Sequence, residues 1–208
     1  MEKRAVRVFL DSNVILSGLI SDKGAPRIIL DILSLGLPSI TGVTDRYNLI
    51  EIERNLKKKA PDVLPAYRHY FLKMNLTIAP LPSAEEVRRY AGHLSEKDVP
   101  VLVSAIKAKA DFLVTGDKKD FNRLLKNSHL LRSPRPSSLQ RTSKYASLLS
   151  ISGASHLDIF DQPYKQSPFQ LTVIKLKGRG DYSCVIVTPA EFLETILPAI
   201  IKGERKQG

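Results

Sequence analysis

Acidic residues stand at the ends of apolar, β-branched segments in this sequence, and helical patterns follow them directly. AVRVFL (5–10) ends at Asp11, and FLVT (112–115) leads through Gly116 to Asp117. Strands that alternate with helices predict a mainly parallel sheet, because parallel strands need a long crossover between them. Since parallel strands direct their carboxyl ends to one edge of a sheet, both aspartates are expected on the same rim.

The rest of the first 130 residues continues this alternation. Two further strands are predicted, one at 38–43 and one that begins at 75 and is stopped by Pro80 and Pro82. Apolar spacing and capping residues predict helices over 12–21, 25–35, 44–59, 61–74, 83–94, 96–111 and 118–127. The expected N-caps of the first and third helices are Ser12 or Asn13, and Thr44 or Asp45.

The composition and periodicity of the sequence change after residue 130. The segment that starts at 131 is rich in Ser, Pro and Arg and has no sustained period, which is typical of a linker or disordered segment. Two β-rich runs at 169–187 surround Lys-Gly-Arg-Gly-Asp and predict a hairpin, and a helix follows over 188–200. We therefore expect the following division: a core at 1–130, an insertion at 131–183, the last strand and helix of the core at 184–201, and a basic tail at 202–208.

Composition limits the class of protein. A chain of 208 residues with 43% hydrophobic and 25% charged residues is long enough for one α/β domain. The single cysteine, Cys184, excludes an internal disulfide framework and favours a reducing compartment. The apolar run before Asp11 is too short for a signal peptide, and no segment approaches the length of a membrane span. We expect a soluble, cytoplasmic protein.

The net charge suggests a polyanionic partner. Thirty-two Lys and Arg against twenty-one Asp and Glu give a formal charge of +11. Such an excess favours nucleic acid through the release of counterions. A solvated, soluble surface explains the charge alone equally well.

Two more acids extend the pattern of Asp11 and Asp117. Asp98 opens the helix that leads into FLVT, and Glu51 lies near the boundary of the apolar face of the helix at 44–59. Clustered carboxylates repel one another unless a cation lies between them, and oxygen ligands select Mg²⁺ or Mn²⁺. Such ions activate water for attack on phosphorus, so the sequence suggests a phosphodiester substrate.

Each of these acids also has an ordinary interpretation. Asp11 fits an Asx turn, Glu51 a solvent-facing charge, Asp98 a first-turn acid and Asp117 a helix cap. The order of the four acids and their placement at junctions favour a shared site.

The motifs resemble those of the PIN-domain family of metal-dependent ribonucleases. The similar segments are VFLDSNVILSGLIS, KGAPRIIL, LIEIERNL, EKDVPVLVSAIKAKADFLVTGDKKDF and VIVTPAEFLETI. The resemblance implies a three-layer α/β/α fold with a mainly parallel sheet and a Mg²⁺ or Mn²⁺ site that cleaves RNA. The family's catalytic, metal-binding acids match Asp11, Glu51, Asp98 and Asp117.

The resemblance also implies supporting residues and partners. Asn13 and Thr115 match polar neighbours of the family's acids, Ser12 adjoins Asp11, and Asp120 is an additional acid. Many members are toxins of toxin-antitoxin pairs and many dimerise, so an antitoxin and a homodimer are expected partners beside RNA. The insertion at 131–183 departs from the family pattern, because it far exceeds ordinary connection lengths.

Three alternatives remain to be weighed. A non-catalytic RNA- or protein-binding relic of the same fold is the first. A haloacid-dehalogenase-type phosphatase ranks lower, because that family needs a second Asp where this chain has Asn13, and the spacing of Asp117 and Asp120 is one residue short. A dinucleotide-binding domain is excluded, since no Gly-x-Gly-x-x-Gly turn follows the first strand.

Overall fold

A central sheet organises the part of the chain that this computed structural model describes, which comprises residues 4–90, 94–117, 121, 172–176 and 182–205. The described strands are β1 (Val6–Leu10), β2 (Ile40–Asp45), β3 (Thr77–Ala79), β4 (Phe112–Val114), β5 (Thr172–Leu176) and β6 (Tyr182–Val187). Their order is β3-β2-β1-β4-β6-β5. All neighbours pair in parallel except β5, which runs antiparallel to β6.

Helices cover both faces of this sheet. They are α1 (Ser12–Ile20), α2 (Ala25–Ser34), α3 (Arg46–Lys59), α4 (Leu64–Lys73), α5 (Ala84–Arg88) and α6 (Asp98–Lys107), followed by a last helix, α7. A 3₁₀ turn at Pro61–Val63 precedes α4. α7 passes from an α-helical turn at Pro189–Glu191 through a π-helical segment at Phe192–Ile196 to Leu197–Arg205.

The two-residue period of the strands divides the core into two layers. In β1, Val8 and Leu10 pack on one face, together with side chains of α1, α2, α3 and α7. Phe9 points to the opposite face, where it joins Leu113 of β4 and Leu102 of α6. The predicted three-layer α/β/α fold with a mainly parallel sheet is confirmed.

Several predicted elements have different ends in the structure. The N-cap of α1 is Asp11 rather than Ser12 or Asn13, and it makes no side-chain capping bond. The helix predicted at 83–94 is only α5, although Ser83 does form the capping box with Glu86. Most of the helix predicted at 118–127 and the segment from 131 lie outside the described residues.

The predicted hairpin is part of the central sheet. β5 pairs with β6 from Thr172 opposite Ile186 to Leu176 opposite Tyr182. β6 in turn pairs in parallel with β4, so β5 supplies hydrogen-bond partners to what would otherwise be an edge strand. The division of the chain into core, insertion and tail stays a prediction.

Gly18 allows close packing of α1 on α2. A Cβ at this position would lie 2.7 Å from Leu30 Cδ1 and 2.9 Å from the carbonyl oxygen of Pro26. The second distance involves backbone, so α2 would have to move.

Gly18→Ala is therefore expected to lower the free energy of unfolding by about 1–2 kcal/mol, in spite of alanine's higher helix propensity. Urea denaturation followed by circular dichroism measures this change. Ser17→Ala is the matched control, because Ser17 is exposed on the same helix. Equal stability of the two variants would contradict the role of Gly18 in packing.

Candidate functional site

The carboxyl ends of β1 and β4 bring Asp11 next to the 115–117 turn. The two strands pair in register, with Leu10 opposite Val114, and the amide of Asp11 donates to the carbonyl of Val114 at 3.1 Å. Both strands end at this pair, so the backbone leaves the sheet at Asp11 and at Thr115. The predicted meeting of Asp11 and Asp117 on one rim therefore follows from parallel pairing.

Asp11 is buried and held by two side chains. Only 5% of its surface is exposed. Its Oδ2 accepts a hydrogen bond from Thr115 Oγ1 at 2.7 Å and another from Asn13 Nδ2 at 2.9 Å. These two bonds place the carboxylate in one orientation.

Asn13 also connects the first strand to the turn after β4. Its Oδ1 accepts from the amide of Gly116 at 3.0 Å, and its Nδ2 lies 3.4 Å from Asp117 Oδ2. The amide of Asp117 donates to Thr115 Oγ1 at 3.0 Å. Asn13 and Thr115 thus contact both aspartates.

Glu51 and Asp98 reach the same rim from two helices. Glu51 lies in α3 and its Oε2 accepts from Ser12 Oγ at 2.7 Å. Asp98 is the first residue of α6, is 5% exposed, and accepts from Ser95 Oγ. Asp98 therefore faces the interior and not the solvent.

Electrostatics show that three of the acids lie near one another. Burial raises the pKa of Asp11 to about 6, the hydrogen bond from Thr115 and the backbone of Ser12 oppose this rise, and the charges of Glu51 and Asp98 add to it. Burial is also the main cause of the raised pKa of Tyr47, to which Glu51 and Asp98 contribute as well.

Asp117 is more open than the other acids. Half of its side chain, 51%, is exposed, and Lys97 Nζ lies 3.8 Å from its Oδ2. An exposed pair at this distance contributes little to stability. Asp117 is connected to Asp11 through Asn13 rather than directly.

The donor set fits a hard divalent cation. Every candidate ligand offers carboxylate oxygen, which is what Mg²⁺ and Mn²⁺ bind. Within the part of the chain that is described, no three acidic, histidine or cysteine side chains are close enough to hold one ion together. Mg²⁺ commonly binds through one or two carboxylates and keeps several waters.

The structure adds polar residues that sequence reasoning did not place beside the acids. Thr44, Asp45, Asn48 and Ser104 are all fully buried beside this rim. The spacing of the sequence could have indicated that Asn48 is buried, because it stands four residues before Ile52 on the same side of α3. Of the predicted supporting residues, Ser12, Asn13 and Thr115 contact the acids, and Asp120 lies outside the described residues.

Comparison with known families identifies the fold. A family model described as PIN domain matches residues 7–119. The chain belongs to the PIN-domain family. PIN-domain proteins are generally nucleases that use divalent metals, and the match includes Asp11, Glu51, Asp98 and Asp117.

A solved structure similar to this PIN domain is the crystal structure of VapBC2 from Rickettsia felis bound to a DNA fragment from their promoter. The two share 21% sequence identity over 57% of this chain and 93% of the other, with a TM-score of 0.45. No curated protein matches the sequence. Among the described helices, none is both long and apolar enough to cross a membrane.

The raised pKa of Asp11 makes stability depend on pH. Because the folded state disfavours the ionised carboxylate, burial of Asp11 lowers the free energy of unfolding. This loss is absent below the unfolded pKa near 3.8, grows as pH rises towards 6, and is complete above pH 6. Its size is about 3 kcal/mol at pH 7 as an order of magnitude. Asp11→Asn can keep both bonds to its oxygen and should stabilise the metal-free protein at pH 7.5.

The measurement is urea denaturation of wild type and Asp11→Asn in EDTA at pH 7.5 and pH 4.5. The gain from the substitution should be clearly smaller at pH 4.5, because keeping the buried carboxyl protonated costs less free energy as pH falls towards the unfolded pKa near 3.8. A gain that is the same at both pH values would show that burial does not raise the pKa of Asp11.

Proposed function

We propose that this PIN domain is a metal-dependent endoribonuclease that hydrolyses phosphodiester bonds of single-stranded RNA. The observation that carries the proposal is the buried carboxylate of Asp11, which Ser12 links to Glu51 and on which the charges of Glu51 and Asp98 act. Carboxylates gathered in this way repel one another, and a hard cation relieves the repulsion. The net charge of +11 supports a polyanionic substrate.

In this proposal, Asp11, Asp98 and Asp117 hold Mg²⁺ or Mn²⁺ directly or through water, and Glu51 orients the ion or a water. The ion, when bound, lowers the pKa of water and neutralises charge on the leaving oxygen. Thr115 and Asn13 keep the Asp11 carboxylate in place for this task. Ser12 does the same for Glu51 by donating to Oε2.

The partners that the family resemblance implies stay predictions. These are an antitoxin protein that blocks the site, a homodimer, and a cytoplasmic location. Copurification of the chain with the product of an adjacent gene would test the antitoxin.

Cleavage of RNA is the direct test of the proposed activity. Wild type should cleave single-stranded RNA with Mn²⁺ and not with EDTA, whereas Asp11→Asn and Asp98→Asn should each lose about a hundredfold or more of the rate, because metal stabilisation of the transition state is worth several kcal/mol. Asp62→Asn is the matched control, since this exposed Asp lies in the turn before α4.

Absence of Mn²⁺-dependent cleavage by wild type on structured and unstructured RNAs would favour the non-catalytic binding protein. Retained binding of RNA under those conditions, measured by fluorescence anisotropy, would establish that alternative.

Thr115→Val tests the support of Asp11. Valine keeps the shape of threonine but removes the donor to Asp11 Oδ2 and the acceptor for the amide of Asp117. The rate with Mn²⁺ is expected to fall by roughly ten- to one-hundredfold, as is typical when a group that orients a metal ligand is lost. The pH at which activity is half-maximal should rise, because this hydrogen bond lowers the pKa of Asp11. An unchanged pH profile would contradict this role.

A further inference from the structure

A buried polar network lies directly behind the acids. Its members are four side chains with no exposed surface: Thr44, Asp45, Asn48 and Ser104. Polar and charged side chains are rarely buried to this extent without a structural or functional reason. They come from the end of β2, the first turn of α3 and the middle of α6.

One end of this network holds the end of β1. Thr44 Oγ1 and Asn48 Nδ2 both donate to the carbonyl oxygen of Leu10, each at 3.1 Å. Asn48 Nδ2 also lies 3.2 Å from Thr44 Oγ1. Leu10 directly precedes Asp11, so the network fixes the backbone from which the first candidate ligand departs.

The centre of the network is Asp45. Its Oδ1 accepts from the amide of Asn48 at 2.8 Å and caps α3, the helix that carries Glu51. The pKa of Asp45 is raised, first by burial and also by Glu51, while the nearby hydroxyl of Ser104 and the amide of Asn48 oppose the rise.

The other end of the network is Ser104 in α6, the helix that Asp98 begins. Its hydroxyl is close enough to Asp45 to influence the carboxyl. Within the described part of the chain, however, neither Ser104 Oγ nor Asp45 Oδ2 makes a hydrogen bond of normal geometry. Two buried oxygen atoms thus lack a partner in the region where α6 packs against α3 and β2, and direct pairing would satisfy both of them.

We propose that Asp45 and Ser104 are positioning residues whose contact sets the separation of α3 and α6, and thereby the separation of Glu51 and Asp98. The inference rests on the proposed function only in that those two acids bind a metal ion. A simple helix cap would require no partner on α6, and it would not require the carboxylate's second oxygen to be buried, as Asp45 Oδ2 is. Asp45 caps α3 through the amide of Asn48, while Thr44 and Asn48 join the same network to β1.

Substitutions at Asp45 and Ser104 distinguish the capping of α3 by Asp45 from the proposed contact between Asp45 and Ser104. Asp45→Ser keeps a good N-cap, but serine is too short to reach α6. Ser104→Ala removes the hydroxyl and leaves the cap unchanged. Asp45→Asn keeps both the cap and the reach, and its amide can donate to Ser104 Oγ. Ile52→Val is the control, because Ile52 is fully buried in α3 and lies outside the network.

Mn²⁺ affinity, measured from the electron paramagnetic resonance signal of free Mn²⁺, is the first readout. Asp45→Ser and Ser104→Ala should each weaken binding by roughly ten- to one-hundredfold, and the double variant by no more than either alone. Asp45→Asn should bind as wild type does. Ile52→Val should lower the unfolding midpoint without changing Mn²⁺ affinity.

The second readout needs no metal. Nitroxides at Arg54→Cys in α3 and Lys109→Cys just after α6 report the distance between the helices by double electron–electron resonance. Asp45→Ser and Ser104→Ala should each shift or broaden this distance relative to wild type and Ile52→Val. Both native residues at the labelled positions are exposed.

Two results would overturn the inference: an unchanged distance distribution in Asp45→Ser and Ser104→Ala, or an equal loss of Mn²⁺ affinity in Ile52→Val. If wild type bound no Mn²⁺, the proposed metal-dependent function would fail instead. The distance measurement would still decide whether Asp45 and Ser104 position the two helices.

Discussion

Placing the carboxylate of Asp11 at the buried end of β1 costs free energy, because a charge loses its hydration there and meets the charges of Glu51 and Asp98. Hydrogen bonds from Thr115 and Asn13 offset part of this cost. Asn13 is a near neighbour in the chain, whereas Thr115 is available only because β1 and β4 lie side by side in parallel register. The sheet pairing and the acidic site therefore depend on each other.

The net charge of the whole chain and the charge at the candidate site have opposite signs. Overall the chain carries +11, which attracts a polyanion from a distance. At the rim of the sheet the sign reverses, since Asp11, Glu51 and Asp98 act on one another there. A phosphodiester that is drawn to the protein would be repelled at the site until a cation screened the carboxylates. Under the proposed function, the metal ion would therefore be needed for contact with the substrate as well as for the chemistry.

Local sequence patterns predicted helices and strands well where residues close in the chain determine the structure, as they do at helix caps. The capping box at Thr188 and Glu191 is present, and so is the cap of α3 by Asp45. The same reasoning erred on the faces of helices. Helical spacing from Tyr47 predicts Ile50 on the apolar face of α3, but Ile50 is 59% exposed, whereas the polar Asn48 is fully buried. Helical spacing identifies a repeating face, but a buried amide with partners on β1 and β2 looks like a surface residue in the sequence.

The sequence by itself determined the alternation of strands and helices, the four acids at their junctions, and their likeness to PIN-domain motifs, because these depend on residue type and short spacing. Only the tertiary structure decided that β5 joins the central sheet and that Asp117 reaches Asp11 through Asn13. It alone revealed the buried network that connects Leu10, Asn48 and Asp45. Such contacts join residues far apart in the chain, and no local pattern records which distant polar groups will share a buried environment.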